Sequence, residues 1–232
     1  MDGQVRPLSL WSSKFMLEKF KNLKEIDIKI LKAAKEEFLK NGFHRANIDN
    51  IARNLRIGKG TIYRHFGNKH ILFLSLVVHT LLEQWNNLKE SIEGKDFKTT
   101  FEKLIEHFIS FHTETSRIFS NLFSEEIWKE FQKQLKKDKK LNELMSFIVN
   151  CREESIELIK NSLDMAKKEN IISTEINSRI LAEIILITIN HFFITFYVNP
   201  PVKLKKQKEY SIEEGIKELK AFIYRGVGYK EN

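Results

Sequence analysis

Cysteine is almost absent from this chain: Cys151 stands alone among 232 residues. One thiol excludes an internal disulfide framework and a thiolate zinc cluster, and it fits a reducing compartment. Proline and glycine are also scarce, with three and nine residues. Strands and their turns ordinarily use more of both, so their scarcity favours helices. No basic stretch leading into an apolar segment opens the chain, so no signal peptide is expected and a cytoplasmic location is. A phosphate-cradling glycine loop and an HExxH pair are missing as well. The acidic pairs Glu125-Glu126, Glu153-Glu154 and Glu213-Glu214 are immediate neighbours, and neighbours on a helix do not face each other. Neither a catalytic site, a cofactor nor a metal site is expected.

What the chain does have is an uneven charge. With 42% hydrophobic and 30% charged residues, it reads as neither disordered nor bulk membrane protein. Its net charge is +8, and residues 1–69 hold 15 Lys/Arg against 7 Asp/Glu, whereas the remainder holds 24 of each. A basic module next to a neutral one is the footprint of a part that meets phosphates. The plainer alternative is a solvated lysine-rich surface.

Helical periodicity begins at Glu25. Ile26, Ile30, Ala34 and Phe38 recur every four residues, with Leu31 alongside, and Asn41-Gly42 closes the segment. Residues 1–23 form an extension that reads equally as a short helix or a basic arm. Asn47 is suited to cap a short second helix, Ile48–Leu55. After the turn Arg56-Ile57-Gly58, where the glycine is expected to supply unusual backbone angles, a third helix runs to Phe66. Asn68 can cap a long fourth, Lys69–Ile92. Further helical patterns cover Phe97–Thr113, Arg117–Lys136, Lys140–Glu169, Glu175–Val198 and Ile212–Tyr224. Asn199-Pro200-Pro201 is a stop, followed by a basic loop at Lys203–Lys208.

Two short helices around a tight turn make a helix-turn-helix, the geometry that places a second helix in the major groove. Small Ala52 lets the helices approach, and Ile62 and Phe66 are placed to pin the second helix to a core. Over Ile30–Leu76, and most of all in IGKGTIYRHFGNK at Ile57–Lys69, the chain resembles the TetR family of transcriptional regulators. That resemblance implies an all-α fold. An N-terminal three-helix DNA-binding domain would carry the helix-turn-helix, and a C-terminal helical bundle would serve ligand binding and dimerisation. The expected divisions are 1–23, 24–69 and 70–232. It also implies DNA contacts at Asn47, Lys59, Gly60, Thr61, Tyr63, Arg64, His65 and Lys69. Lys59 and Arg64 are the candidates for base reading, Tyr63, His65 and Lys69 for phosphates, and Gly60 for a close backbone approach. Asn47 stands where the family often has threonine. Asn54-Leu55-Arg56 replaces a small-residue pair, and His70-Ile71 replaces an acidic residue after the lysine.

Beyond residue 76 the resemblance is one of outline. The apolar run Ile180–Val198 is long enough to suggest a bilayer span. Glu183, Asn190 and His191 interrupt it, however, and a helix apolar all round also suits one between its own core and a second subunit. The reading is therefore a homodimer built on the last two long helices, with a membrane-associated protein bearing a DNA-binding head as the alternative. Phe108, Phe111, Trp128, Phe147 and Phe192 are the candidates to line a pocket for an apolar or amphipathic small molecule, with polar contacts from His107, His112, Asn190 or His191. The expected partners are a palindromic double-stranded operator, a second copy of the chain and that ligand. The expected role is a ligand-released repressor; a constitutive binder without inducer is the alternative.

Overall fold

A computed structural model describes residues 22–92, 95–119, 125–172, 177–197 and 211–228, with the isolated positions 18, 20 and 175; the side chains of 86, 89, 114–119, 125–128 and 194–197 are excepted. The expectations for most of the 1–23 extension, the Asn199-Pro200-Pro201 stop and the basic loop at 203–208 lie outside the described residues.

Among the described residues all regular structure is helical. The helices are α1 (Glu25–Arg45), α2 (Ile48–Leu55), α3 (Lys59–Phe66), α4 (Lys69–Ile92), α5 (Phe97–Phe119), α6 (Glu125–Leu135), α7 (Lys139–Lys168), α8 (Ser178–Tyr197) and α9 (Ile212–Gly226). None of the described helices is long and apolar enough to cross a membrane.

Local chemistry accounts for most of the boundaries. Gly42, at φ 69° and ψ 171°, is non-helical inside α1, so the regular helix breaks at Asn41-Gly42 and a last turn follows. The Asn47 side chain accepts from the Asp49 N–H at 2.9 Å, and the Asn68 side chain accepts from the Ile71 N–H at 2.9 Å. Both are N-caps satisfying first-turn amides that have no partner within the helix. Ser211 and Glu214 exchange bonds of 3.1 and 2.6 Å at the start of α9, a capping box.

Two expectations are corrected. Gly58 has ordinary extended angles, φ −72° and ψ 143°. The left-handed residue of the turn is Arg56, at φ 54° and ψ 40°, whose N–H closes α2 on the carbonyls of Ala52 and Arg53. Helix α5 does not end at Thr113 but runs to Phe119, and α6 starts at Glu125. The Thr113 hydroxyl donates to the Ile109 carbonyl at 2.8 Å, so its polar group is satisfied without leaving the helix.

The chain packs as two compact units, one within Met1–Leu82 and Glu126–Cys151, the other within Glu83–Glu125 and Arg152–Asn232. The first is centred on Ile30, Leu31, Phe38, Ile51, Ile62 and Phe73, all at most 1% exposed. In it Phe43 lies 5.2 Å from Phe73 and 5.6 Å from Phe131, ring centre to ring centre, so α6 closes onto α1 and α4. The second is built on Phe97, Phe101, Leu104, Ile105, Ile156, Ile159, Ile189 and Phe193, all fully buried. The first packing unit runs past residue 69 to Leu82 and takes in residues 126–151.

Candidate nucleic-acid interface

Helix α3 has two faces. Ile62 and Phe66, 1% and 4% exposed, anchor it inward, one turn apart. Lys59, Gly60, Tyr63 and Arg64 are exposed and Thr61 is half-buried. Positions 59, 60, 63 and 64 share one side of the helix because their spacings are three and four residues. A Cβ at Gly60 would meet nothing within 4 Å, so the backbone there is open to an approaching surface.

The cationic groups are held by neighbours. Lys59 Nζ lies 2.9 Å from Asp49 Oδ2 on α2 and 5.9 Å from the centre of the Tyr63 ring. The hydrogen bond to Asp49 raises its pKa. The Arg64 guanidinium donates to the Thr61 hydroxyl at 3.3 Å. Lys69 Nζ donates to the His44 carbonyl at 2.9 Å and sits 5.1 Å from the Phe43 ring centre; burial pushes its pKa down. Lys69 therefore also fastens the end of α1 to the start of α4. His65 Nδ1 lies 2.6 Å from Asp27 Oδ1, with both side chains largely enclosed.

Three acidic partners escape a reading of the sequence. Asp27 takes the His65 ring on one oxygen and the Lys24 N–H, at 3.0 Å, on the other. Asp49 holds Lys59. Glu37 Oε1 accepts from the Asn47 N–H at 2.8 Å, the Asn41 amide at 2.9 Å and the Asn50 amide at 3.2 Å. Burial alone would raise the Glu37 pKa, but the bonds from Asn47, Asn41 and Asn50 outweigh it and lower it. These pairs join residues 38, 10 and 10 positions apart; only the fold brings them together.

The aromatic candidates separate. Phe108 is buried, and Phe111 and Phe192 are half-buried, in the second unit. Phe111 lies 5.3 Å from the His112 ring and Phe192 5.2 Å from Phe193. Phe147 is buried in the first unit, and the Trp128 side chain lies outside the described residues. Among the polar candidates, His107 contacts Trp85 and Phe108, and His112 stacks on Phe193 at 6.0 Å. Burial holds both histidines down to about 4, with His107 adding repulsion at His112, so both rings are uncharged at neutral pH. Asn190 and His191 are exposed instead. They follow Ile180, Ile184 and Ile187, which are 56%, 51% and 51% exposed on α8; Phe222 on α9 is 64% exposed. No cluster of histidine, cysteine and acidic side chains able to hold a metal occurs among the described residues.

Residues 30–76, which hold α1 from its buried stripe onward, the turn, α3 and the start of α4, match the family model for bacterial regulatory proteins of the tetR family. In this segment the chain is similar to the tetR family. It is 36% identical over 69 residues to the HTH-type transcriptional regulator UidR of Escherichia coli K12, a match covering 30% of this chain and 35% of that one. The similarity thus spans about a third of the curated relative's length. The fold likeness runs further. The fatty acid degradation regulator FadR from Bacillus halodurans superposes with a TM-score of 0.63 at 17% identity, covering 90% of this chain and all of the other. FadR from Bacillus subtilis, solved with stearoyl-CoA, gives 0.60 at 18%, covering 86% and 98%. Both likenesses establish the fold, an all-helical chain with an N-terminal helix-turn-helix followed by further helices.

Proposed function

We propose that this chain is a transcriptional repressor that binds a palindromic operator as a homodimer and is released by an apolar or amphipathic small molecule. On this reading it acts in the cytoplasm and catalyses nothing. Residues 24–69 read DNA, and residues 70–232 bind the ligand and dimerise. The observation that carries the DNA-reading role is the outward face of α3, with Lys59, Gly60, Tyr63 and Arg64 exposed over the buried anchors Ile62 and Phe66. Lys59 and Arg64 read bases; Asn47, Thr61, Tyr63, His65 and Lys69 meet phosphates. Exposed Ile180, Ile184, Ile187 and Phe222 favour a second copy of the chain as the partner, since such a stripe is costly to leave in water. Phe108, Phe111 and Phe192, beside two uncharged histidines, suit an apolar ligand; Trp128 and Phe147 are the less supported candidates. The stearoyl-CoA in the Bacillus subtilis structure favours the same ligand chemistry.

The deciding experiment is operator binding across salt concentrations. Phosphate contacts release counterions, so affinity should fall by a few orders of magnitude, about 10³-fold or more, between 50 and 200 mM salt. Arg64→Ala should weaken binding by about 5- to 150-fold and relax base preference at one position. A flat salt response sinks the reading. Ile187→Glu tests the dimer: sedimentation should show the variant splitting to monomers, and a monomeric unmodified chain would refute that part.

A further inference from the structure

We propose that His65 and Asp27 form a proton-coupled phosphate clamp, so that operator binding takes up protons and strengthens as pH falls. This rests on the DNA-binding reading above and adds a regulation to it. The two residues lie 38 positions apart, one on the recognition helix α3 and the other in the first turn of α1, and meet at 2.6 Å through Nδ1 and Oδ1. The second oxygen of Asp27 is fixed by the Lys24 N–H at 3.0 Å, so the carboxylate is held in place from two sides. The His65 ring keeps 21% of its side-chain surface in solvent, and Nε2 has no partner among the described residues.

The consequence follows from the imidazole inventory. An Nδ1–H donated to a carboxylate leaves Nε2 of the neutral ring as an acceptor, which presents a lone pair to a phosphate oxygen. Once the ring gains a proton, Nε2–H becomes a donor to the phosphate. The imidazolium then lies between two anions, Asp27 behind and the backbone of the DNA in front. Phosphate binding thus favours the protonated ring, and linkage requires the converse: protons favour the complex. Of the other charged groups on the elements packed around α3, Glu25 and Lys29 on α1 pair with each other at 2.6 Å. On α2, Asp49 is paired with Lys59 and Arg53 with the Asn50 side chain; Arg56 is exposed in the turn. On α4, Lys69 is bonded to the His44 carbonyl. On α3 itself, Arg64 is bonded to Thr61. Asp27 is the carboxylate that touches the ring.

The test is operator affinity from pH 8 to pH 6 at fixed salt, for the full chain and for His65→Gln and Asp27→Asn. Histidine ordinarily titrates near pH 6.5, and one proton taken up per recognition helix corresponds to a gain of at most about tenfold per pH unit per subunit. Affinity should rise on acidification. His65→Gln keeps a donor for Asp27 but cannot take up the proton, so its curve should be flat. Asp27→Asn, which removes the anion behind the ring, should shrink the rise. An unmodified curve that is flat, or a His65→Gln curve that rises as steeply as the unmodified one, overturns the clamp while leaving DNA binding intact. Absence of salt-sensitive DNA binding at every pH overturns the function and the clamp together. Because either variant can perturb folding, the unmodified protein gives an independent reading. The NMR titration of the His65 ring nitrogens should shift to higher pH when operator is added; an unchanged midpoint overturns the proposal.

Discussion

The two compact units are held by different means. In the unit carrying the turn, short helices are tied by single polar bonds over long sequence distances: Asp27 to His65, Glu37 to Asn47 and Asn50, Lys69 to the His44 carbonyl. In the other unit the interior is apolar, built from Phe97, Phe101, Ile105, Ile159 and Phe193, and its enclosed polar rings, His107 and His112, are uncharged. Eight-residue helices such as α2 and α3 bury too little surface to fix their own orientation by packing. Directional bonds do it instead, and a recognition helix needs such precision if its side chains are to meet base edges. Long helices such as α5, α7 and α8 settle by area, which many sequences can provide.

Acid should break the apolar unit first, and this is the largest effect expected. His107 and His112 bind a proton at about 4 in the folded protein, against 6.5 for an unperturbed ring. A base whose folded value is depressed favours the native state above the unfolded value. That contribution is lost as pH falls from 6.5 towards 4. At pH 5 the loss is at most roughly 2 kcal/mol for each ring, less where solvent reaches it. The melting temperature should therefore drop by several degrees between pH 7 and pH 5. His70 in the first unit is also held down by burial, though Glu130 opposes the shift, so the comparison needs a variant. His107→Leu should lose less on acidification than the unmodified chain. Equal losses would mean that the buried histidines are not what separates the units.

A smaller effect is expected from the polar side. Glu37→Ala leaves the exposed Asn47 N–H and the part-buried Asn41 and Asn50 amides without their shared acceptor, a loss of about 1 kcal/mol, since water can take up much of what these donors lose. Operator affinity should fall as well, because the start of α2 loses its fixed point. Denaturant unfolding and operator titration check the two consequences together. A Glu37→Ala chain that unfolds and binds as the unmodified one does would show that these tethers are incidental.

The same contrast explains what the sequence discloses. The turn region is legible because its requirements are positional: Asn47 at a cap, Ala52 where helices approach, Ile62 and Phe66 one turn apart, Gly42 at a break. Those residues stand at fixed spacings, and the structure places them as the spacing implies. The left-handed residue was misread as Gly58 because glycine is the usual occupant, whereas Arg56 takes that conformation within a helix-closing bond. The extent of α5 was misread because threonine and serine after Phe111 resemble a break, and nothing local shows that Thr113 bonds back to Ile109. The acidic tethers Asp27, Glu37 and Asp49 were invisible because their partners are set by packing. The aromatic candidates could not be sorted, since phenylalanine at helical spacing reads alike in both units; only the fold parts Phe147 from Phe108, Phe111 and Phe192.

The smallest expected effect lies at a place where the apolar unit imitates the polar one. The Arg179 guanidinium on α8 meets Glu153 at 2.6 Å, Glu157 at 2.6 Å and Glu183 at 3.0 Å, and these three bonds raise its pKa. Geometry alone would rank it above the Asp27–His65 tether. Exposure reverses the ranking: the Arg179 side chain is 39% exposed and the three acids 41–49%, so water and salt screen the attraction. Exposed ion pairs typically contribute under about 1 kcal/mol. Arg179→Ala should therefore cost no more than about that by pairing. It also leaves three carboxylates facing one another, and their repulsion weakens as salt rises. The loss in melting temperature should thus be measurable at 50 mM salt and shrink towards zero at 500 mM. Replacing Glu153, Glu157 and Glu183 by glutamine should remove most of the penalty of Arg179→Ala, because no like charges are then left behind. A loss that is large and independent of salt would place Arg179 among the structural tethers and erase the distinction between the two units.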